Sequence, residues 1–373
     1  MAKFRALWHA GGELVASPTA VQCRFQSLTD VQFAAQRRDN ALAIEQLSTP
    51  QRSQSRQDID LLLGSVLDGD FEVVRRIGAG SHADVYQGKQ KSVGQRTVAL
   101  KVLHRHYLQL PEADYRRAAT GLQREADLLG NLHAACFVDV YRAGQVADGR
   151  PYIALEFAEG ATLGATLADK KRLELSQLLD LVHQWAEGLG ELHARGWVHR
   201  DITPNNAVLG KSVFGTTRLM IYDFGTATQI TGRADRFKVG FDRDRPQGTA
   251  AYMSPEQAAG GIVDGRSDQF SLACIVYEAL TGQRAFVGHT PSAAAVLNYL
   301  RGTEPIPSAS LASLRPELPP EVGQTVHRAL RRDPEQRHDS IVTFAQELEK
   351  ASQAQGMEPT QTGIVGRLFS RFK

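Results

Sequence analysis

The segment WVHRDITPNN, residues 197–206, sets a histidine, an arginine, an aspartate and two asparagines behind an apolar lead-in. Polar side chains that dense do not suit a core strand, and they are too pointed for a solvated loop. Their types define a chemistry. Asp201 can accept a proton from an alcohol. Asn206 offers a neutral oxygen to a hard cation. Further on, LMIYDFG places Asp223 at the end of an apolar strand, a natural position for a magnesium ligand.

A cation and a glycine turn lie upstream. In IGAGSHADVY, residues 77–86, Gly78 and Gly80 follow one alternating stretch and Val85 opens the next. A dinucleotide-binding fingerprint needs a helix after its glycines. A strand follows here, so a strand–turn–strand flap whose N–H groups approach phosphate oxygens fits better. One strand later, VALKVL carries Lys101. A lysine flanked by apolar residues on a strand ordinarily points to solvent, but a phosphate flap needs a cation at this place. A buried ammonium needs an anion, and Glu125 in QREADLL is placed in sequence to supply it.

Two kinds of element must position these groups. VLDGDFEVVRRIGAG, RTVALKVLH and RPYIALEF have the apolar pattern of strands, with RRAATGLQREADLLGNLH as a helix between the last two. After them, SQLLDLVHQWAEGLGELHARG reads as an amphipathic helix stopped by Gly196, and DQFSLACIVYEALTG as a helix apolar nearly all round, hence buried. EVGQTVHRALRR and SIVTFAQELEKAS are further helices. The expected fold class is α+β: a strand-rich unit followed by a helix-rich unit, with a ligand-binding seam between them.

Composition narrows the function classes. The 373 residues suggest about two to three folding units. With 43 basic and 41 acidic residues, the near-neutral balance argues against a general nucleic-acid binder. Cys23, Cys136 and Cys274 are far apart and odd in number, which points to a reducing compartment rather than a disulfide framework. The N-terminus makes a poor signal peptide and no apolar run reaches the ~20 residues of a membrane span, so a cytoplasmic location is expected. NNAVLGKS, residues 205–212, mimics the end of a P-loop but has Asn205 where the first glycine belongs. The histidines show no zinc-site spacing.

Taken singly these motifs are weak; taken in order they are specific. The chain resembles a protein kinase, of the eukaryotic-like (Hanks-type) serine/threonine class found in bacteria. The resemblance runs from G-x-G through V-A-L-K, the helix glutamate, H-R-D-I-x-P-N-N, D-F-G, GTAAYMSPEQ and SDQFSLACIVYEALTG to RDPEQR. It covers about residues 63–349 and implies a bilobal fold, with an N-lobe over 63–157 and a C-lobe over 158–349. Residues 1–62 are then an N-terminal extension and linker, partly disordered or with a short helix, and 350–373 a C-terminal tail with a short basic amphipathic helix.

The resemblance assigns roles. ATP and Mg2+ are the implied cofactors, and proteins the implied substrates. Ile77, Gly78 and Gly80 would cover the nucleotide; Val85 and Ala99 would sandwich adenine. Leu155 falls at the gatekeeper position, and Glu156 to Ala158 form the hinge that meets adenine through backbone groups. Lys101 would hold the α- and β-phosphates and pair with Glu125. Asp201 is the implied catalytic base, Asn206 and Asp223 the metal ligands. Glu256 would pair with Arg337, and Thr249 would face the acceptor-side loop.

One departure stands out. Most serine/threonine kinases carry a lysine two residues after the catalytic aspartate; here it is Thr203. Loss of one preorganised cation weakens transition-state stabilisation by about 3 kcal/mol. That implies a slower or differently tuned enzyme, with a kinase-fold scaffold that binds nucleotide or a partner as the alternative. Arg200 suggests an anion on the activation loop, supplied by a phosphate on Thr228 or Thr231 or by Asp242 or Asp244; a plain solvated charge run is the third reading. The tail GIVGRLFSRFK is basic and amphipathic and reads either as a contact with a membrane surface or acidic partner, or as a segment docked on its own lobe.

Overall fold

The structure is a computed structural model, and it describes residues 62–212, 215–230, 249–285, 302 and 310–354. The chain divides into two units, Met1–Gln57 and Asp58–Lys373, and all described residues belong to the second. The N-terminal extension and linker up to residue 61, Cys23, Thr231, Asp242, Asp244 and the C-terminal tail from residue 355 lie outside the described residues, as does the side chain of Thr249.

The upper lobe is an antiparallel sheet of β1 (Val66–Leu67), β2 (Phe71–Ala79), β3 (Ala83–Gln90), β4 (Arg96–Leu103), β5 (Val140–Gln145) and β6 (Pro151–Glu156), in the order β1-β2-β3-β4-β6-β5. The first expected strand is two. Asp68 and Gly69, at φ 46° and 70°, turn the chain between β1 and β2, which is what an Asp-Gly pair favours. Register then sorts side chains by face. Tyr86 pairs with Leu100, which pairs with Ala154; these join Phe71, Val73, Val98, Val102 and Tyr152 in a core on the outer face. The alternate residues look the other way: Val85 pairs with Lys101, and Ala99 with Leu155.

Helix α1 (Glu112–Leu129) crosses that inner face. Glu112 and Asp114 in its first turn complement the helix dipole. Its buried residues Leu122, Glu125 and Leu129 follow i, i+3, i+7 spacing, so the glutamate shares the stripe that faces the sheet.

The lower lobe is mostly helical. A small sheet joins β7 (Ala161–Thr162), β9 (Ala207–Lys211) and β10 (Thr217–Ile221), and a second pairs β8 (Trp197–Val198) with β11 (Thr228–Gln229). The P-loop mimic is thus largely strand β9. Helices α2 (Leu163–Lys170), α3 (Leu175–Ala194), α4 (Pro255–Ala258), α5 (Gly265–Thr281), α6 (Leu311–Leu314), α7 (Pro320–Ala329) and α8 (Ile341–Ser352) follow. Thr162, Ser254, Asp264 and Ser340 cap α2, α4, α5 and α8 by accepting backbone N–H bonds. Helix α5 is buried on every side from Ser267 to Leu280 except at Glu278, and it packs against α3, α7 and α8. Its uniformly apolar sequence has this cause. One hydrophobic core runs between the lobes, from Ala99, Leu122 and Leu155 above to Leu189, Ile202 and Phe224 below.

Candidate active site

Lys101 sits mid-strand on the inner face of β4, not toward solvent. Its Nζ donates to Glu125 Oε1 and Oε2 at 2.8 and 2.7 Å, and to Asp223 Oδ1 at 2.8 Å. The Lys101 and Glu125 side chains are 13% and 2% exposed. Burial opposes the charge on Lys101, but the Asp223 and Glu125 carboxylates outweigh it and hold the ammonium above its ordinary pKa. The Lys101 charge pulls Asp223 down to about 2 against its burial. Burial pushes Glu125 up, with the Asp223 charge reinforcing it against Lys101. Two carboxylates therefore share one ammonium, and the cluster keeps a surplus of negative charge that suits a divalent cation.

The loop between β8 and β9 carries Asp201. Its shape is organised by Asp268, a residue the sequence reading left unassigned. Asp268 is fully buried at the start of α5 and accepts from the backbone N–H of His199 (2.9 Å) and Arg200 (2.8 Å); its Oδ2 is also 2.8 Å from His193 Nε2. Burial would raise Asp268, yet the hydrogen bond and charge of His193 and its other donors hold it below its ordinary value. The one signal in the sequence is an acidic side chain in the first turn of a helix with no polar face. Arg200 and Asp223 both have positive φ, 71° and 62°. Non-glycine residues pay for that conformation, and such strain concentrates at functional sites.

Asn206 Nδ2 donates to Asp201 O at 2.9 Å and to Oδ2 at 3.1 Å. Both amide hydrogens are thereby used on Asp201, which leaves Oδ1 of Asn206 as an acceptor for a cation. Asp223 spends Oδ1 on Lys101 while 43% of its side chain remains exposed. Among the described residues no group of three or more His, Cys, Asp or Glu side chains forms a metal cage. One carboxylate and one amide oxygen match magnesium, which takes few protein ligands and completes its shell with phosphate and water.

The residues read from the sequence as catalytic, nucleotide-binding or metal-binding, except Glu156, line a single cavity of about 1520 Å³. That is larger than the ~300–1000 Å³ of an ordinary small-molecule pocket. At its roof, Gly80 N–H donates to Ala83 O at 2.9 Å and closes the turn. A Cβ at Gly80 would meet that same oxygen at 3.0 Å, so the turn itself calls for glycine. A Cβ at Gly78 would meet only Val85 Cβ at 3.8 Å. Nothing among the described residues demands glycine there, and the cavity it faces does if a phosphate comes close. Ile77 is 39% exposed on the same strand, while Ala99 and Leu155 are buried at the back wall. The residues thus fit a nucleotide with its metal.

The Glu156 side chain turns away to Arg218, whose NH1 and NH2 meet Oε1 and Oε2 at 2.5 and 3.0 Å. The adjoining hinge backbone meets Tyr222, a contact absent from the sequence reading: Ala158 N–H donates to the Tyr222 hydroxyl at 2.8 Å. Thr203 is buried, 7% exposed, beside the Asp201 loop. Arg200 NH1 donates to Thr228 Oγ1 at 2.6 Å, which sets one of the candidate phosphoacceptors on the arginine. Below the cleft, Arg337 donates to Glu256 Oε1 and Oε2 at 2.9 and 2.7 Å.

This architecture, a glycine-turned sheet over a helical lobe with a lysine–glutamate–aspartate cluster at the seam, belongs to one class. The chain is a member of the protein kinase family: the family's protein kinase domain matches residues 71–350. Among curated relatives, it is 34% identical over 292 residues to the serine/threonine-protein kinase Pkn1 of Myxococcus xanthus. That match covers 78% of this chain and 39% of the relative. It is 29% identical over 292 residues to the serine/threonine-protein kinase PknB of Mycolicibacterium smegmatis, covering 78% and 44%. The chain thus spans less than half the length of these relatives.

Proposed function

We propose that this protein transfers the γ-phosphoryl group of ATP to serine or threonine hydroxyls of protein substrates, itself included. The observation that carries the reading is the meeting of Lys101, Glu125 and Asp223 within 2.7–2.8 Å across the cleft that also holds Asp201 and Asn206. Phosphoryl transfer asks little covalent chemistry of a protein and much positioning and charge neutralisation. Lys101, fixed by Glu125, presents an ammonium to the phosphates. Asp201, gripped at O and Oδ2 by Asn206, orients the acceptor hydroxyl and takes its proton. Asn206 Oδ1 and the free edge of Asp223 would hold Mg2+, which when bound neutralises phosphate charge. The turn over Gly78 and Gly80 covers the site and excludes water.

Thr203 puts a hydroxyl where an ammonium would help, so the enzyme is slow rather than inert. The relatives named serine/threonine-protein kinases support the choice of acceptor. We also place the protein in the cytoplasm; the buried free thiols of Cys136 and Cys274 are consistent with a reducing compartment.

The test is incubation with labelled ATP and magnesium, wild type against Asp201→Asn. Label should pass to the protein or an added protein substrate in the wild type and fall by at least ~100-fold in the variant. Equal, background-level labelling in both would leave the scaffold reading in its place.

A further inference from the structure

The residue before Asp223 does something the rest of the site does not require. The Tyr222 hydroxyl accepts from Ala158 N–H at 2.8 Å and lies 3.4 Å from Glu156 O, to which it donates. These two backbone groups, a donor and an acceptor two residues apart, belong to the hinge: Ala158 lines the cleft, and the Glu156 carbonyl meets it through the hydroxyl of Tyr222. Adenine offers their complement, an exocyclic N6–H donor and ring-nitrogen acceptors. A phenol hydroxyl is donor and acceptor in one atom, and so satisfies both groups alone.

We propose that Tyr222 is an internal competitor for adenine: its side chain takes up the hinge groups a nucleotide base would use and must swing away before the base can bind. The inference rests on the nucleotide reading of this cleft and names a specificity-determining residue within it. A part-buried tyrosine normally finds some hydrogen-bond partner. The distinguishing fact is which partner it finds. Tyr222 lines the same cavity as Val85, Ala99 and Leu155, the apolar side chains available to an adenine ring.

The surroundings hold this arrangement in register. Tyr222 N–H donates to Asn206 O at 2.9 Å, which fixes its backbone. Four residues earlier, Arg218 binds Glu156 through both guanidinium NH groups and holds the hinge against the strand that carries Tyr222. With both ends pinned, only the side chain is left to move. Rotation about its first torsion frees the Ala158 N–H and the Glu156 carbonyl together, and leaves Asp223 on Lys101.

A state that must be vacated before binding lowers apparent affinity by the fraction of molecules already open. One ordinary buried hydrogen-bond arrangement corresponds to roughly a tenfold effect. The experiment is titration calorimetry of ADP with magnesium into the full chain, for wild type, Tyr222→Phe and Tyr222→Ala. Hydrogen exchange across the peptide containing Ala158 is followed in the same three proteins without nucleotide. Tyr222→Phe keeps the ring and removes the hydroxyl, so it is the variant expected to fold without disturbance. Expected are severalfold tighter ADP binding in Tyr222→Phe, roughly tenfold or more in Tyr222→Ala, and faster exchange at Ala158 in both. ADP affinity unchanged in both variants overturns the proposal while leaving the kinase reading intact. Weaker binding in Tyr222→Ala also overturns it, because Tyr222 would then support the base. No ADP binding in any of the three overturns both readings, whereas a failure of phosphotransfer alone leaves these affinities untouched.

Discussion

Replacing Lys101 by methionine keeps the apolar stem and removes the ammonium from a cluster that holds two carboxylates. In the native site Glu125 Oε2 and Asp223 Oδ1 lie 2.7 and 2.8 Å from the same nitrogen. Their separation is then at most about 5.5 Å, and their mutual repulsion at an effective dielectric near 20 is about 3 kcal/mol. Solvent at the exposed edge of Asp223 screens part of this, which brings it to about 2 kcal/mol. Glu125 has no such relief: its side chain is 2% exposed, and burial already pushes its pKa up. Without Lys101 the carboxyl group should titrate well above its ordinary range.

The sign follows. A carboxyl whose folded pKa is raised destabilises the native state at pH above that pKa, and the penalty fades as pH falls toward the unfolded value. Lys101→Met should therefore lower Tm by about 4–8 °C at pH 7.5. The loss relative to wild type should shrink by at least half at pH 5. Adding Glu125→Gln to Lys101→Met should remove the pH dependence. Thermal unfolding of the three proteins at both pH values is the assay. A Tm loss of the same size at pH 5 and 7.5, or one that persists with the same pH dependence in the double variant, would refute the shared-ammonium account.

Two other changes probe different parts of the molecule. Arg337 is fully buried and Glu256 is its acidic partner, so Glu256→Ala strands a guanidinium and should cost about 3–5 kcal/mol, read by denaturant unfolding; a loss under about 1 kcal/mol would contradict this. Thr203→Lys restores a cation beside Asp201 and should keep or raise the rate of phosphotransfer; a collapse in the labelled-ATP assay would show that the Asp201 loop has been misassigned. The proposed-function assay with Asp201→Asn and the ADP titrations of the Tyr222 variants complete the set.

Local pattern and distant geometry were not equally legible. The strand alternation around Lys101, the stripe that carries Glu125 and the all-apolar α5 are period-2 and period-3.6 signals, and they appear where the sequence implies. Strand β5 was not anticipated, because its residues Val140–Gln145 are largely half-buried or exposed at a sheet edge and carry no apolar alternation. Helix α2 is short and has only Leu163 and Leu167 buried, too few to mark a period. Asp268, Arg218 and Tyr222 were missed for a different reason. Each acts on a segment some sixty residues away or more, on His199, Glu156 and Ala158, and no local rule encodes a hydroxyl meeting a particular amide across a cleft. The recognisable motifs point to the groups that meet at the cleft, but not to the residues that hold or screen them.

Arg218 reaches three places at once: the Glu156 carboxylate, Ala135 O at 2.9 Å and Phe137 O at 3.4 Å. It stitches the connection after α1, the hinge and the β9–β10 hairpin along the closed spine of the cleft. Spread of the lobes at that rim would tear an ion pair and two carbonyl contacts together. Lifting the glycine turn would break none of these contacts, so it is the less costly way for the cleft to open.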